Sequence, residues 1–131
     1  MPYYNEGHMI VPYYNEDHSA YAILVSHGFG SGWATENGDL RLAYDSRIID
    51  WYISLTGETL QLIRLHGTSA NKAAENFIHS LGYNTDFLYF GGFKFDMIEW
   101  VPVGKAWRLH EYDGAESIEY LNEDDWVCFN G

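Results

Sequence analysis

The sequence predicts an α+β fold, a mostly antiparallel sheet with two helices packed on one face. Three observations lead there. A short apolar run, Tyr21-Ala22-Ile23-Leu24-Val25-Ser26, has the length and β-branched content of a buried strand and stops at a glycine-dense loop. In the middle of the chain apolar residues recur at helical spacing. In the last third they alternate with polar ones between turn signals. The sheet is therefore expected to combine one N-terminal strand with a C-terminal meander of three to four strands.

In chain order, residues 1–18 carry a near-exact repeat: Pro2-Tyr3-Tyr4-Asn5-Glu6-Gly7-His8, then Pro12-Tyr13-Tyr14-Asn15-Glu16-Asp17-His18. A unit present twice cannot stack into a solenoid, so residues 1–18 are read as an N-terminal extension, in part non-native, and 19–131 as a single domain. Leu40, Tyr44, Ile48, Trp51 and Leu55 share one helical face. Asp39 stands where an N-cap would, and Gly57 is a natural stop. Thr59–Leu65 fits a strand or a short helix. A second helix starts at Thr68 or Ser69, runs through Ala70, Ala73, Ala74, Phe77 and Leu81, and leaves through Gly82. Residues 95–101 read as a strand closed by the turn Pro102-Val103-Gly104-Lys105. Over 106–112, Trp107 and Leu109 fall on one face, and Arg108, His110 and Tyr112 on the other. Asp113-Gly114 is the strongest hairpin signal in the chain, with 117–121 returning and 126–129 forming a last strand.

The 131 residues fit one domain, which buries roughly two thirds of its unfolded surface at this length. With 47% hydrophobic and 18% aromatic residues, a packed core is expected rather than disorder. Nineteen acidic against seven basic side chains give a net charge of -12. That field repels nucleic-acid phosphates and anionic membranes, and it steers a basic protein inward. The single cysteine, Cys128, lies between Val127 and Phe129 and reads as a packed thiol. With no spanning apolar run and no basic, apolar leader, the expected location is cytoplasmic.

The loop Ser26-His27-Gly28-Phe29-Gly30-Ser31-Gly32-Trp33 is the one candidate ligand site, with His27, Gly28, Gly30, Ser31, Gly32 and Trp33 as its residues. Glycines at alternate positions leave backbone N–H groups open to a ligand. The loop lacks the Gly-Lys-Ser/Thr ending of a phosphate-binding P-loop, the spacing of the dinucleotide fingerprint, and the Gly-x-Ser-x-Gly of a hydrolase elbow. His27, His66 and His110 with Glu111 or Asp113 form an acid–base alternative, although His110 and Glu111 point to opposite faces of one strand. His8 and His18 with Glu6, Glu16 or Asp17 have no spacing that fixes a metal, and Glu123-Asp124-Asp125 lacks a calcium-loop pattern. No catalytic residue, metal or cofactor is expected.

The glycine loop, Trp100-Val101-Pro102-Val103-Gly104 and Glu111-Tyr112-Asp113-Gly114-Ala115-Glu116-Ser117-Ile118 together resemble a widespread family of small tailed-phage proteins. Those carry an Arg-(Tyr/Phe)-Gly-Ala-Gly-Trp-Ser-Thr-Trp loop and a Glu-Tyr-Asp-Gly-Ser-Glu hairpin. The resemblance covers most of residues 20–121 and implies a phage protein acting in the host cytoplasm; it brings no catalytic residue. This chain departs from the pattern with His27 in place of the arginine and Ala34-Thr35 after the tryptophan.

What remains is surface. Glu111, Tyr112, Asp113, Glu116, Glu119, Tyr120, Asp124, Asp125 and Trp126 are expected to form an acidic, aromatic face that docks on a basic surface of a host or phage protein. On this reading the chain is a small accessory protein, without enzymatic activity, that inhibits or modulates a host nucleic-acid-handling or defence protein. An enzyme or small-ligand binder built on loop 27–33 is the alternative.

Overall fold

The computed structural model describes residues 4–5, 8–27, 32–54, 68–83, 88, 97–120 and 127–129. In chain order these form β1 (Tyr4–Asn5), β2 (His8–Met9), β3 (Ala20–Leu24), α1 (Ala34–Asn37), α2 (Arg41–Tyr44), α3 (Ser46–Ser54), α4 (Thr68–Ser80), β4 (Ile98–Pro102), β5 (Trp107–Tyr112) and β6 (Ala115–Tyr120). The fold is α+β, and every strand pairing is antiparallel: β1 with β2, β3 with β4, β5 with β6.

The connectivity differs from the expected meander. β4 pairs with β3, from Ala20↔Pro102 to Leu24↔Ile98, and not with β5. The turn after β4 forms as its sequence predicts, with the Lys105 N–H on the Pro102 carbonyl and Gly104 at a φ of 82°. It does not fold β5 back onto β4, because Val103 N–H donates to Ser19 O and Gly104 N–H to Phe129 O. β5 and β6 form the hairpin expected at Asp113-Gly114, whose φ values of 51° and 85° suit a two-residue turn with both centres left-handed. Val127 bridges the other edge of β5 at Trp107, and the Glu116 N–H donates to Ser26 O, joining the hairpin to the end of β3.

The second copy of the N-terminal repeat packs along β3. Ile10 is buried, and the carbonyl of Val11 accepts from Ser46 N–H. Tyr13 O accepts from Ala22 N–H and Asn15 N–H donates to Ala20 O, so 13–15 cover the edge of β3 opposite β4. Asn15 Oδ1 also takes the N–H groups of Ser19 and Ala20 and holds the turn.

The central helix breaks where one continuous helix is expected. Asp45 has an extended ψ of 120° and separates α2 from α3. Its Oδ1 accepts from the backbone N–H and the Nε of Arg47, its Oδ2 from Arg47 Nη2 and from Tyr83 Oη at 2.7 Å, and its carbonyl from Ile48 and Ile49. A carboxylate that caps the next helix and binds four donors outweighs the propensity to continue. Asp39 treats Arg41 in the same way, with Nη2 to Oδ2 at 2.6 Å, and the Arg41 guanidinium stacks 5.1 Å over the Tyr83 ring. α4 forms as expected and leaves through Gly82 at a φ of 101°; Ile78 is buried, and Phe77 stacks on Trp51 of α3.

The core lies between β3, α2, α3 and the inner face of β5. Tyr21, Ile23, Leu24, Leu42, Tyr44, Ile48, Ile49 and Trp107 are fully buried there, and Phe129 meets the rings of Tyr21 and Tyr44, each at 5.2 Å. Segment 59–65 and Gly57 lie outside the described residues.

Candidate functional site

A buried carboxylate organises the two ends of the glycine loop. Glu116, in β6, is 2% exposed. Its Oε1 accepts from Ser26 N–H at 2.9 Å, just before the loop. Its Oε2 accepts from Trp33 N–H at 2.9 Å, Thr35 N–H at 3.0 Å and the Thr35 hydroxyl at 2.5 Å, just after it. The hairpin register explains how a glutamate arrives there. The two-residue turn places Glu116 opposite Glu111, and so on the face that also carries Trp107 and Leu109. Burial of a carboxylate is tolerated when charge-assisted hydrogen bonds use up its oxygens, as four donors do here.

Trp33 is buried and its Nε1 donates to Leu42 O at 2.9 Å, which ties the end of the loop to α2. Gly32 is glycine because of the close approach: a Cβ would stand 2.5 Å from Thr35 Oγ1 and 2.8 Å from Glu116 Oε2. The N–H groups of Trp33 and Thr35 would be open to an outside anion if Glu116 were absent. The protein supplies that anion itself.

Of the expected ligand residues, His27, Gly32 and Trp33 are described, and Gly28, Gly30 and Ser31 lie outside the described residues. His27 Nε2 pairs with Glu99 Oε2 at 2.7 Å, both side chains being about half exposed. Of the histidines expected to converge on Glu111 or Asp113, His27 pairs with Glu99 and His110 Nδ1 lies 3.1 Å from Glu119 Oε1, and His66 lies outside the described residues. Among the described residues no three His, Cys, Asp or Glu side chains are placed to hold a metal ion. His18 stacks on Tyr14, and Asp17 Oδ1 accepts from Ser19 N–H.

The expected partner face is divided. Glu116 is removed from it by burial, which corrects its assignment as a surface contact. Glu119 is held by Arg108, 3.2 Å away, as well as by His110. Glu111 Oε1 accepts from Gly114 N–H within the turn. Tyr112 is 71% exposed and Tyr120 46%. Burial first, then the Glu99 carboxylate, raises the Tyr120 phenol above its ordinary value. Asp124, Asp125 and Trp126 lie outside the described residues. Trp100, on β4, is 47% exposed and lies 6.5 Å from the Tyr13 ring. Cys128 is half-buried between buried Val127 and Phe129.

Comparison of the chain with protein-family models, with curated proteins and with solved structures found no match. No helix among the described residues is long and apolar enough to cross a membrane.

Proposed function

We propose that the chain is a small phage accessory protein that binds a basic surface of a host or phage protein, modulating a nucleic-acid-handling or defence protein of the host. The observation that supports this most is the contrast between loop and exterior. The backbone donors flanking the glycine loop are filled by Glu116, whereas three large aromatics, Trp100, Tyr112 and Tyr120, stand in solvent. Tyrosine and tryptophan give large contact areas at low side-chain entropy cost, and carboxylates beside them favour a cationic partner. Glu99, Glu111 and Glu119 are those carboxylates in the described residues, with Glu119 partly neutralised by Arg108. Contact therefore rests more on the aromatics than the net charge of -12 alone would imply.

Quantitative affinity capture from bacterial host extract checks this reading, comparing the parent chain with the double variant Tyr112→Ser, Tyr120→Ser. A specific protein is expected on the parent, depleted at least about fivefold on the variant, a loss of about 1 kcal/mol or more. Retention is also expected to weaken between about 50 and about 500 mM salt, as screening removes charge attraction. Equal retention by both chains at both salts refutes the reading.

A further inference from the structure

One face of the strands around β3 is aromatic and points away from the core. The bridge Tyr14↔Tyr21, with Ala22 N–H on Tyr13 O and Asn15 N–H on Ala20 O, sets 13–15 in register with β3, and β4 pairs on the other side. Two rows of side chains therefore cross all three segments on one face: Tyr13, Ala22 and Trp100, then Asn15, Ala20 and Pro102. Tyr21 and Ile23 take the opposite face, where Tyr21 meets Phe129 in the core. In the first row the Tyr13 and Trp100 rings stand 6.5 Å apart at 50°, with fully buried Ala22 between them. Trp100 is nevertheless 47% exposed, and Pro102 in the next row is exposed too.

The chemistry of this face selects its occupant. β3 is bonded on both sides, so the face presents rings rather than ladder positions, and a segment lying on it keeps its own backbone in water. A polyproline II segment suits that, because its backbone is solvated, it has no internal hydrogen bonds, and it is extended before it binds. Its pyrrolidine rings pack on tryptophan and tyrosine. Glu16 and Asp17 are exposed in the turn that follows Asn15, at the Pro102 end of the rows, and outnumber Lys105 of the adjoining turn. A sugar stacked on Trp100 would need polar side chains beside the ring for its hydroxyls. Asn15, the polar residue of the next row, is committed to Ser19 and Ala20.

We infer that Tyr13, Trp100 and Pro102 bind a proline-rich segment of a partner protein in the polyproline II conformation. Its prolines lie on the Trp100 and Tyr13 rings, and a Lys or Arg flanking them meets Glu16 and Asp17. Ring contact supplies the affinity and the cation supplies the direction of binding. This site rests on the protein-binding reading above and adds to it which aromatics take the partner and in what conformation.

The test is a titration of the isotopically labelled full chain with the blocked hexapeptide Pro-Pro-Pro-Pro-Arg-Arg, followed by NMR. The Trp100 indole N–H and the amides of Tyr13, Ala22 and Trp100 are expected to shift and to saturate at roughly millimolar peptide. Replacing the four prolines by alanine, or both arginines by glutamate, is expected to weaken binding about fivefold or more. Trp100→Ala is expected to abolish saturation and Trp100→Phe to keep part of it, each melting within a few degrees of the parent because Trp100 is half exposed. Glu16→Gln is expected to narrow the preference for arginine over glutamate. Absence of saturable shifts, equal affinity for the alanine peptide, or unchanged binding by Trp100→Ala overturns the inference. Shifts confined to Tyr112 and Tyr120 overturn this face but leave the protein-binding reading intact. Cellohexaose that moves the same signals as tightly as the peptide identifies a sugar as the ligand and overturns the assigned partner. Concentration-dependent shifts of those signals without peptide identify a second copy of this chain and overturn it equally.

Discussion

Glu116 and Gly32 are a matched pair, and each has a measurable consequence. Glu116→Ala leaves the donors of Ser26, Trp33 and Thr35 without their acceptor. The expected loss is about 2–4 kcal/mol in urea denaturation, the scale for several buried donors losing a charged acceptor together. Glu119→Ala, at an exposed pair with Arg108, is expected to cost no more than about 1 kcal/mol. Equal losses for the two would show that the Glu116 cluster does not form. Gly32→Ala pushes a methyl group against Thr35 and the same carboxylate, with an expected cost of about 1–3 kcal/mol. Glu116 was legible in part. The Asp113-Gly114 turn fixes the pairing, the pairing puts Glu116 on the Trp107 face, and a carboxylate on a core face must find donors. Acidic composition alone assigned it to the surface, because a charge count carries no information about which face a strand residue occupies.

At the scale of elements, the strands and the second helix follow from local pattern, and the departures follow from side chains that compete with it. Apolar spacing over 40–55 is helical throughout, yet Asp45 spends its carboxylate on Arg47 and Tyr83 and turns the chain. The sequence carries a sign of this in the twin Asp-x-Arg of 39–41 and 45–47, where each aspartate binds the arginine two residues later. Tyr83, which ties Asp45 to the exit of α4, is a long-range partner that no local pattern reveals. Asp45→Ala is therefore expected to destabilise by about 2–4 kcal/mol, because half-exposed Arg47 and the buried Tyr83 hydroxyl lose their acceptor together. Tyr83→Phe, which removes one donor, is expected to cost about 1–2 kcal/mol. A Tyr83→Phe loss as large as that of Asp45→Ala would contradict this division. The partnership of β3 with β4 was likewise hidden, since strand pairing across about eighty residues depends on the whole core rather than on adjacent turns.

For the molecule as a whole, the buried phenols set an alkaline limit. Burial raises Tyr21 and Tyr83 well above the ordinary value of 10.0, so the unfolded chain releases these protons first. Their contribution is complete below about pH 10 and is lost as pH rises, at about 1.4 kcal/mol per pH unit for each phenol that stays protonated in the fold. Stability measured from pH 9 upward is expected to fall more gently in Tyr83→Phe than in the parent, and identical slopes would contradict the burial of that phenol. The net charge of -12 adds self-repulsion that salt relieves. Within the described residues the charge is not gathered on one face: Glu116 lies inside, Glu119 is paired, and Glu99 holds His27.

On the proposed reading the exterior aromatics are the working surface, while Ser26, Trp33 and Thr35, on either side of the glycines, are held by the protein's own carboxylate. Inorganic phosphate titrated into the labelled chain, with the Trp33 and Thr35 amide resonances followed up to about 10 mM, separates the two most directly. With Glu116 on those amides, they are predicted to stay in place apart from the uniform drift caused by ionic strength. Saturable movement of both, at phosphate concentrations that leave the Tyr112 and Tyr120 amides unmoved, would mean that the loop binds an outside anion and that the account is wrong.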